Sequence, residues 1–259
     1  MTQTIGWNDF VDTEAQVEYR RLILLEQIFD PFTLRQLGSL DIQPGWKCLE
    51  VGAGAGSVAR RMAELAGGEN VVATDLSVKF LAPLADLGVT VLHHDVTADE
   101  APGAFDVIHT RFVLDHLPDR EAVIKRMASW LKPGGWLLVE VGTTLPELSS
   151  HPQTRRSMEV LDQVLTERVG TATSWARTLP VPLEAAGLAD CGAEGVIMPA
   201  RGGEPLAEWL KNTTKLVEAH AVDTGLITRE ELDEAFALYE TPAFLDYTWM
   251  TVAARGRRA

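Results

Sequence analysis

Cysteine is scarce in this sequence, which contains two, Cys48 and Cys191, among 259 residues. Two thiols so far apart in the chain build neither a disulfide framework nor a cysteine metal cluster. Long apolar runs are also missing, and none approaches the roughly 20 residues that cross a bilayer. The first ten residues have no basic segment and no apolar core, so they do not read as a signal peptide. We therefore expect a protein of the reducing cytoplasm that does not enter a membrane.

Basic residues are outnumbered, with 23 lysines and arginines against 37 aspartates and glutamates and a formal net charge of −14. Phosphate binding requires a basic face, so this balance argues against nucleic acid as a partner. Basic residues are concentrated at Arg255–Arg258, which we interpret as a solvated tail. Internal repeats and low-complexity tracts are absent too. A hydrophobic fraction of 46% over this length instead predicts one large globular domain, or a domain with a lid.

The most informative stretch that is present is a glycine-rich turn between a predicted strand and a predicted helix. It runs from Cys48 to Ser57 as C-L-E-V-G-A-G-A-G-S. Glycines at this spacing let the backbone turn sharply and admit a ligand close to it. Ser57 stands where the dinucleotide fingerprint G-x-G-x-x-G requires its third glycine. Glu50, two residues before the first glycine, favours a ligand with a cationic amine over one whose pyrophosphate binds the helix N-terminus.

Predicted strands and helices alternate after this turn, which indicates a parallel sheet covered on both faces. A second strand, Val71–Asp75, ends in an acid, and a third, 91–96, carries Asp95 near its end. The fourth strand is predicted at 105–110 and a fifth before Glu140. In open parallel sheets, ligands bind at the carboxyl ends of strands where the strand order reverses. The predicted strand ends that converge there are Glu50, Asp75, Asp95 and Thr110–Arg111.

The series E-V-G-A-G-A-G at residues 50–56 resembles the first motif of class I S-adenosylmethionine (SAM)-dependent methyltransferases, acid-x-G-x-G-x-G. The later strands agree in order, and L-K-P-G-G at 131–135 resembles the turn before the family's fifth strand. The resemblance covers residues 44–142. It implies an α/β, Rossmann-like fold whose seven-stranded, mostly parallel sheet has the order 3-2-1-4-5-7-6, with helices on both faces and a helical lid.

The resemblance also implies a set of cofactor contacts. Glu50 and the backbone near Gly52 and Thr110 would hold the methionine end of SAM. Asp75 would accept from the ribose hydroxyls, and Asp95 with the Val96 amide would contact the adenine. For each acid alone, the alternative is a helix cap or loop residue. The predicted cofactor-binding residues are Glu50, Gly52, Ala53, Gly54, Asp75, Leu76, Asp95, Val96 and Thr110.

The segment after the fourth strand, residues 111–119, should line the side where a methyl acceptor binds. His116 is the candidate base because its ordinary pKa lies near neutrality, and Arg111 is predicted to orient an anionic group or the SAM carboxylate. The alternative for His116 is a residue that packs and bonds locally. No acid stands beside Glu140 where metal-dependent relatives would place one, so we expect no metal. The N-P-P-Y motif of amino-group methyltransferases that act on DNA or protein is also missing, since T-R-F-V occupies residues 110–113.

Three segments are predicted to cover the site. Residues 1–40 form a separate N-terminal lid segment, and the main domain, 41–259, carries lid insertions at about 143–180 and 204–241. Within the first segment we expect a helix from Thr13 that ends at Asp30-Pro31, then a short helix. Large aromatic residues in these segments suit an enclosed pocket for a small, partly apolar substrate, or they pack the lid onto the sheet. Examples are Trp7, Phe10, Trp175 and Trp209.

The chain as a whole resembles small-molecule methyltransferases that are common in actinomycete bacteria, many of which act in specialised metabolism. The resemblance implies SAM as the cofactor, S-adenosylhomocysteine as its product and a small-molecule acceptor. Two alternatives stay open: a SAM-fold protein that catalyses another reaction or only binds SAM, and an NAD-dependent oxidoreductase. The missing third glycine and the acid on the strand count against the oxidoreductase. The acceptor, the atom methylated, and the choice between monomer and homodimer also stay open.

Overall fold

The computed structural model describes residues 15–259. Thr13, Trp7, Phe10 and the other early residues of the predicted lid segment lie outside the described residues. The helices are α1 Ala15–Gly38, α2 Ser57–Ala66, α3 Arg120–Trp130, α4 Pro152–Val164, α5 Val181–Ala185, α6 Pro205–Asp223 and α7 Arg229–Glu240. The strands are β1 Cys48–Val51, β2 Val71–Asp75, β3 Thr90–His93, β4 Phe105–Arg111, β5 Leu131–Thr144, β6 Ala189–Arg201 and β7 Leu245–Arg257.

The seven strands form one sheet in the order β3-β2-β1-β4-β5-β7-β6, which confirms the predicted topology. β1 pairs in parallel with β2 on one side and with β4 on the other, and β4 pairs in parallel with β5. All four residues of β1 are buried. The strand order reverses between β1 and β4, so the carboxyl ends of these two strands flank the point where ligands bind in such sheets.

The predicted end of the first helix at Asp30-Pro31 is wrong, because α1 continues through Pro31 to Gly38. A proline inside a helix removes one hydrogen bond and favours a break. Here Phe29, Phe32 and Leu37 on either side of the proline are buried. The burial of these apolar side chains outweighs the local cost of the proline, so the two predicted helices are one.

The boundaries of the third strand also differ from the sequence prediction. β3 ends at His93, and Asp95 lies in the following turn rather than on the strand. The Asp95 carboxylate accepts hydrogen bonds from the backbone N–H and the hydroxyl of Thr97. Such local bonds compete with strand pairing and favour a turn. The other acid-ended strand, β2, has the predicted bounds.

The chain divides into two compact units. The sheet unit comprises residues 29–141, 177–194 and 252–259, and holds the glycine turn and the ends of β1 to β4. The described part of the helical unit comprises residues 15–28, 142–176 and 195–251. Within the helical unit, α7 begins at the capping box of Thr228 and Glu231, and the rings of Trp209 and Trp249 meet edge to face. The predicted lid insertions supply most of this unit, and their covering role stays a prediction.

Among residues 15–259, no helix combines the length and apolar character that crossing a bilayer requires.

Candidate cofactor-binding site

The glycine turn after β1 is held by backbone hydrogen bonds from β2. The N–H groups of Gly52 and Ala53 both donate to the carbonyl of Thr74, each at 2.9 Å. Gly52, Gly54 and Gly56 all have positive φ, at 74°, 58° and 97°. A Cβ on Gly52 would lie 2.3 Å from Cγ2 of Val113. The turn therefore requires glycine for its backbone and, at position 52, for space as well.

Asp75 links the end of β2 to this turn. Its Oδ2 accepts from the Gly54 N–H and its Oδ1 from the Ser77 N–H, both at 2.9 Å. Each carboxylate oxygen has two lone pairs, so a carboxylate can accept more than two hydrogen bonds. The next residue, Leu76, is 48% exposed, which is high for a leucine. The end of β2 thus presents a carboxylate and an apolar surface side by side.

Asp95 and Val96 lie in the turn after β3. The hydrogen bonds from Thr97 lower the pKa of Asp95 below its usual range, so this carboxylate is charged at neutral pH. The Val96 side chain is buried, and its carbonyl accepts from Nε of Arg126 on α3. These hydrogen bonds fix the turn that follows β3.

Glu50 is buried and lies opposite His109 in the β1–β4 register. Its Oε2 is 2.7 Å from Nδ1 of His109, which has no exposed surface. Nε2 of the same imidazole faces Oε1 of Glu140 on β5 at 3.9 Å. Burial raises the pKa of Glu50, and His109 opposes that shift. Burial lowers the pKa of His109, but the carboxylates of Glu50 and Glu140 outweigh it and raise the pKa overall. The pKa values of both groups are thus raised, and the short contact requires a proton between Nδ1 and Oε2.

The contacts of Glu140 continue this polar cluster towards α1. Oγ1 of Thr33 donates to Oε2 of Glu140 at 2.6 Å and accepts from Nη1 of Arg111 at 2.7 Å. Nη2 of Arg111 donates to Oδ1 of Asp30 at 2.9 Å. The hydroxyl of Ser57, the first residue of α2, donates to the same Asp30 oxygen at 3.1 Å. We call this series the polar chain; its members are Glu50, His109, Glu140, Thr33, Arg111, Asp30 and Ser57.

The segment that follows β4 changes direction at once. Phe112 has a φ of 55°, its N–H donates to the carbonyl of Glu140, and its ring meets Phe29 edge to face at 4.7 Å. His116 ends a short 3₁₀ turn, Leu114–His116, and its Nε2 lies 3.7 Å from Oδ2 of Asp115. Thr110 is buried on β4, and among residues 15–259 its hydroxyl has no hydrogen-bond partner.

The comparisons with known proteins agree with this arrangement. The family model described as "Methyltransferase domain" matches residues 49–137, from β1 to β5. Methyltransferase str2 of Strobilurus tenacellus is 31% identical over 183 residues, which are 68% of this chain and 65% of that protein. The part of the chain from β1 to β5 is therefore a methyltransferase domain.

Two further proteins are similar to this chain over different lengths. A ubiquinone biosynthesis O-methyltransferase of Albidiferax ferrireducens is 34% identical over 122 residues, 44% of this chain and 47% of that protein. A structure of phosphoethanolamine N-methyltransferase 2 of Haemonchus contortus, with phosphomonomethylethanolamine and S-adenosylhomocysteine, superimposes with a TM-score of 0.64 at 19% identity. It covers 98% of this chain and 60% of that one, and at this identity the likeness concerns the fold alone. The chain spans about half to two thirds of the length of the curated relatives it matches.

Several of the predicted cofactor-binding residues lie at the carboxyl ends of the first strands. Glu50, Gly52, Ala53, Gly54 and Asp75 are joined through β1, β2 and the glycine turn. Their contacts with SAM stay a prediction, as do those of Leu76, Asp95, Val96 and Thr110. Arg111 already binds Asp30 and Thr33, and its predicted role towards an anionic group stays a prediction with that of His116.

Sequence reasoning did not assign His109, Thr33 and Asp30 to the site. One signal was available for His109: on a strand, residues i and i+2 share a face. His109 and Arg111 are polar and two apart in the otherwise mostly apolar β4. Within the described residues, no group of three or more His, Cys, Asp or Glu side chains is placed to hold a metal ion.

Proposed function

We propose that this protein transfers a methyl group from SAM to a small-molecule acceptor. The observation that carries the proposal is the glycine turn after β1, with its positive φ angles, its bonds to Thr74 and Asp75, and the buried Glu50 before it. The chain spans only part of its relatives, so their activities support the proposal without deciding it.

The side chains present fit SAM at each of its parts. Glu50 is a buried carboxylate suited to the ammonium of the methionine end, with backbone groups near Gly52 and Thr110 beside it. Asp75 retains acceptor capacity for ribose hydroxyls. The exposed side chain of Leu76 offers an apolar surface for the adenine ring, and Asp95 with the Val96 amide would contact its edge. The absence of a Cβ at position 52 lets the Val113 side chain pack directly against the glycine turn.

When bound, SAM supplies an electrophilic methyl group on its sulfonium. Transfer of this methyl group to an acceptor atom would leave S-adenosylhomocysteine. Because this displacement is in line, holding acceptor and methyl at attack distance accounts for much of the acceleration. We assign that task to residues around 111–119. His116 would take the proton from a hydroxyl, phenol or amine acceptor, and Arg111 would act through the polar chain or on an anionic group.

Charge and composition support a small acceptor of specialised metabolism. A net charge of −14 disfavours a polyanionic acceptor such as nucleic acid. The relatives include proteins named for ubiquinone and phosphoethanolamine methylation, which act on small molecules. Two cysteines in 259 residues agree with a cytoplasmic setting as part of the same proposal. The methylated atom and the oligomeric state are not assigned.

Titration calorimetry with SAM, S-adenosylhomocysteine and NAD tests the cofactor. We expect binding of both sulfur compounds and none of NAD. Binding of NAD alone would overturn the proposal in favour of an oxidoreductase. A screen of phenol, hydroxyl and amine acceptors, read as a mass increase of one methyl group, then tests the reaction. Binding of SAM with another product and no methylated one would favour the non-methylating alternative.

A further inference from the structure

The imidazole of His109 lies between two carboxylates on the three central strands. On neighbouring parallel strands, Glu50 pairs with His109 and Arg111 with Glu140, so all four side chains lie on one face of the sheet. His109 and Glu140 are buried, and so is Glu50. Buried charges persist only when they are paired. The imidazole therefore has a hydrogen-bond partner in Glu50 on one side and faces the carboxylate of Glu140 on the other.

The two imidazole nitrogens have different neighbours. Nδ1 makes a short contact, 2.7 Å, with Oε2 of Glu50, whereas Nε2 stands 3.9 Å from Glu140, beyond hydrogen-bond distance. Nε2 and Oε1 of Glu140 have no hydrogen-bond partner within residues 15–259. Of the two carboxylates, the imidazole therefore contacts Glu50 at hydrogen-bond distance, through Nδ1.

The polar chain also connects the two ends of the glycine turn. It starts at Glu50, two residues before Gly52, and ends at Ser57, directly after Gly56. Between these ends it passes through His109 and Glu140 on the sheet, and through Thr33 and Asp30 on α1. The turn is thus bracketed on both sides by one series of contacts within the sheet unit.

We propose that His109 is a positioning residue for the cofactor: by donating from Nδ1, it fixes the Glu50 carboxylate in the orientation that receives the cofactor's ammonium. The inference rests on the proposed function, because it takes Glu50 as the contact for the methionine end of SAM. Since an ionised carboxylate can only accept, Nδ1 carries the proton in this bond. Loss of that donor frees Glu50 to turn away and leaves a buried carboxylate without its partner.

Two substitutions separate the nitrogens. The amide of asparagine reaches about the position of Nδ1, and that of glutamine about the position of Nε2. His109→Asn therefore keeps a donor for Glu50, whereas His109→Gln moves the donor towards Glu140. We expect SAM affinity within threefold of the original protein for His109→Asn and at least tenfold weaker for His109→Gln, measured by calorimetry. Both variants should lower the melting temperature.

Asp106→Asn is the matched control, since Asp106 lies at the other end of β4 and pairs with Lys132 at 2.6 Å. It should lower the melting temperature and leave SAM affinity within twofold. Equal losses of SAM affinity in both His109 variants, or unchanged affinity in His109→Gln, would assign the imidazole to structure alone. If the His109 variants do not fold, Glu50→Asp shortens the side chain and withdraws its carboxylate from Nδ1 of His109, and SAM affinity unchanged in that variant would overturn the inference.

Glu50→Gln distinguishes the failure of this inference from failure of the proposed function. If the unsubstituted protein binds no SAM, the proposed function fails. If Glu50→Gln weakens SAM at least tenfold while His109→Gln does not, the inference alone fails. If Glu50→Gln binds SAM as before, the role of Glu50 is wrong and the inference with it, while SAM binding by the protein stands.

Discussion

Replacement of Asp75 by asparagine tests the end of β2 with the change of one heavy atom. In the structure, both carboxylate oxygens accept backbone N–H groups, one from Gly54 in the glycine turn and one from Ser77. Asparagine keeps one acceptor oxygen and replaces the other with an NH₂ donor. One of the two N–H groups then faces a donor, and the proposed acceptor for the ribose hydroxyls loses its charge.

The expected loss follows from the number of charged hydrogen bonds affected. Hydrogen bonds to a charged group contribute about 1.5–3 kcal/mol each. Loss of one such bond in the complex corresponds to a roughly 10- to 100-fold rise in Kd. The ribose is common to SAM and S-adenosylhomocysteine, so both should weaken by the same factor. A substitution near the sulfonium would instead separate the two ligands.

Titration calorimetry with each ligand measures this factor. Asp190→Asn is the matched control, because Asp190 is exposed and has a φ of 50°, a conformation that asparagine also adopts. The control should bind both ligands as the original protein does. A change below twofold in Asp75→Asn would show that Asp75 serves the loop only, as a cap for Gly54 and Ser77, and would remove it from the cofactor site.

Three further outcomes are expected. Gly52→Ala should weaken SAM binding at least tenfold, because its Cβ would meet Val113. The control is Gly187→Ala, where φ is 84° and no atom lies near the added Cβ, and it should affect stability alone. Equal SAM affinity in the two variants would refute the clash. Burial raises the pKa of Cys48 from 9.0 to about 12. The contribution of this thiol to stability is fully present below about pH 9 and is lost as the pH rises towards 12. Between pH 9 and 10, the free energy of unfolding measured with denaturant should therefore fall by about 1 kcal/mol less for Cys48→Ala than for the original protein. Parallel curves for the two proteins would contradict this. His116→Ala should reduce turnover about a hundredfold with SAM affinity unchanged, whereas full turnover with a lower melting temperature would make His116 a packing residue.

The sheet could be predicted because its signals are local and repeat in order. Each of the first strands is a short apolar run followed by a turn, and the acid-ended β2 and the glycine turn after β1 have the expected bounds. The continuity of α1 could not be predicted, since the local rule for Pro31 favours a break. What overrides it is the burial of Phe29 and Phe32, which depends on residues far away in sequence.

The residues of the candidate site also differ in whether the sequence could predict them. Glu50 and Asp75 could be found because a motif places them at fixed distances from the glycines. His109 and Thr33 belong to no such motif. The contact of His109 with Glu50 spans 59 residues, and that of Thr33 with Glu140 spans 107. The only sequence signal for His109 was its spacing of two residues from Arg111 on β4, and that spacing identifies no partner.

The left-handed backbone of Phe112 has a consequence for attempts to make this protein more heat-resistant. A φ of 55° costs an L-residue about 1–2 kcal/mol, so a glycine at this position is the change that a stabilisation campaign would select. The ring, however, rests against Phe29, and the N–H of residue 112 holds the Glu140 carbonyl. Glycine would keep the second contact and lose the first, which ties α1 to the exit of β4. The relief of backbone strain is therefore offset by the loss of ring packing, and the path from β4 into residues 113–119 is less fixed in such a variant.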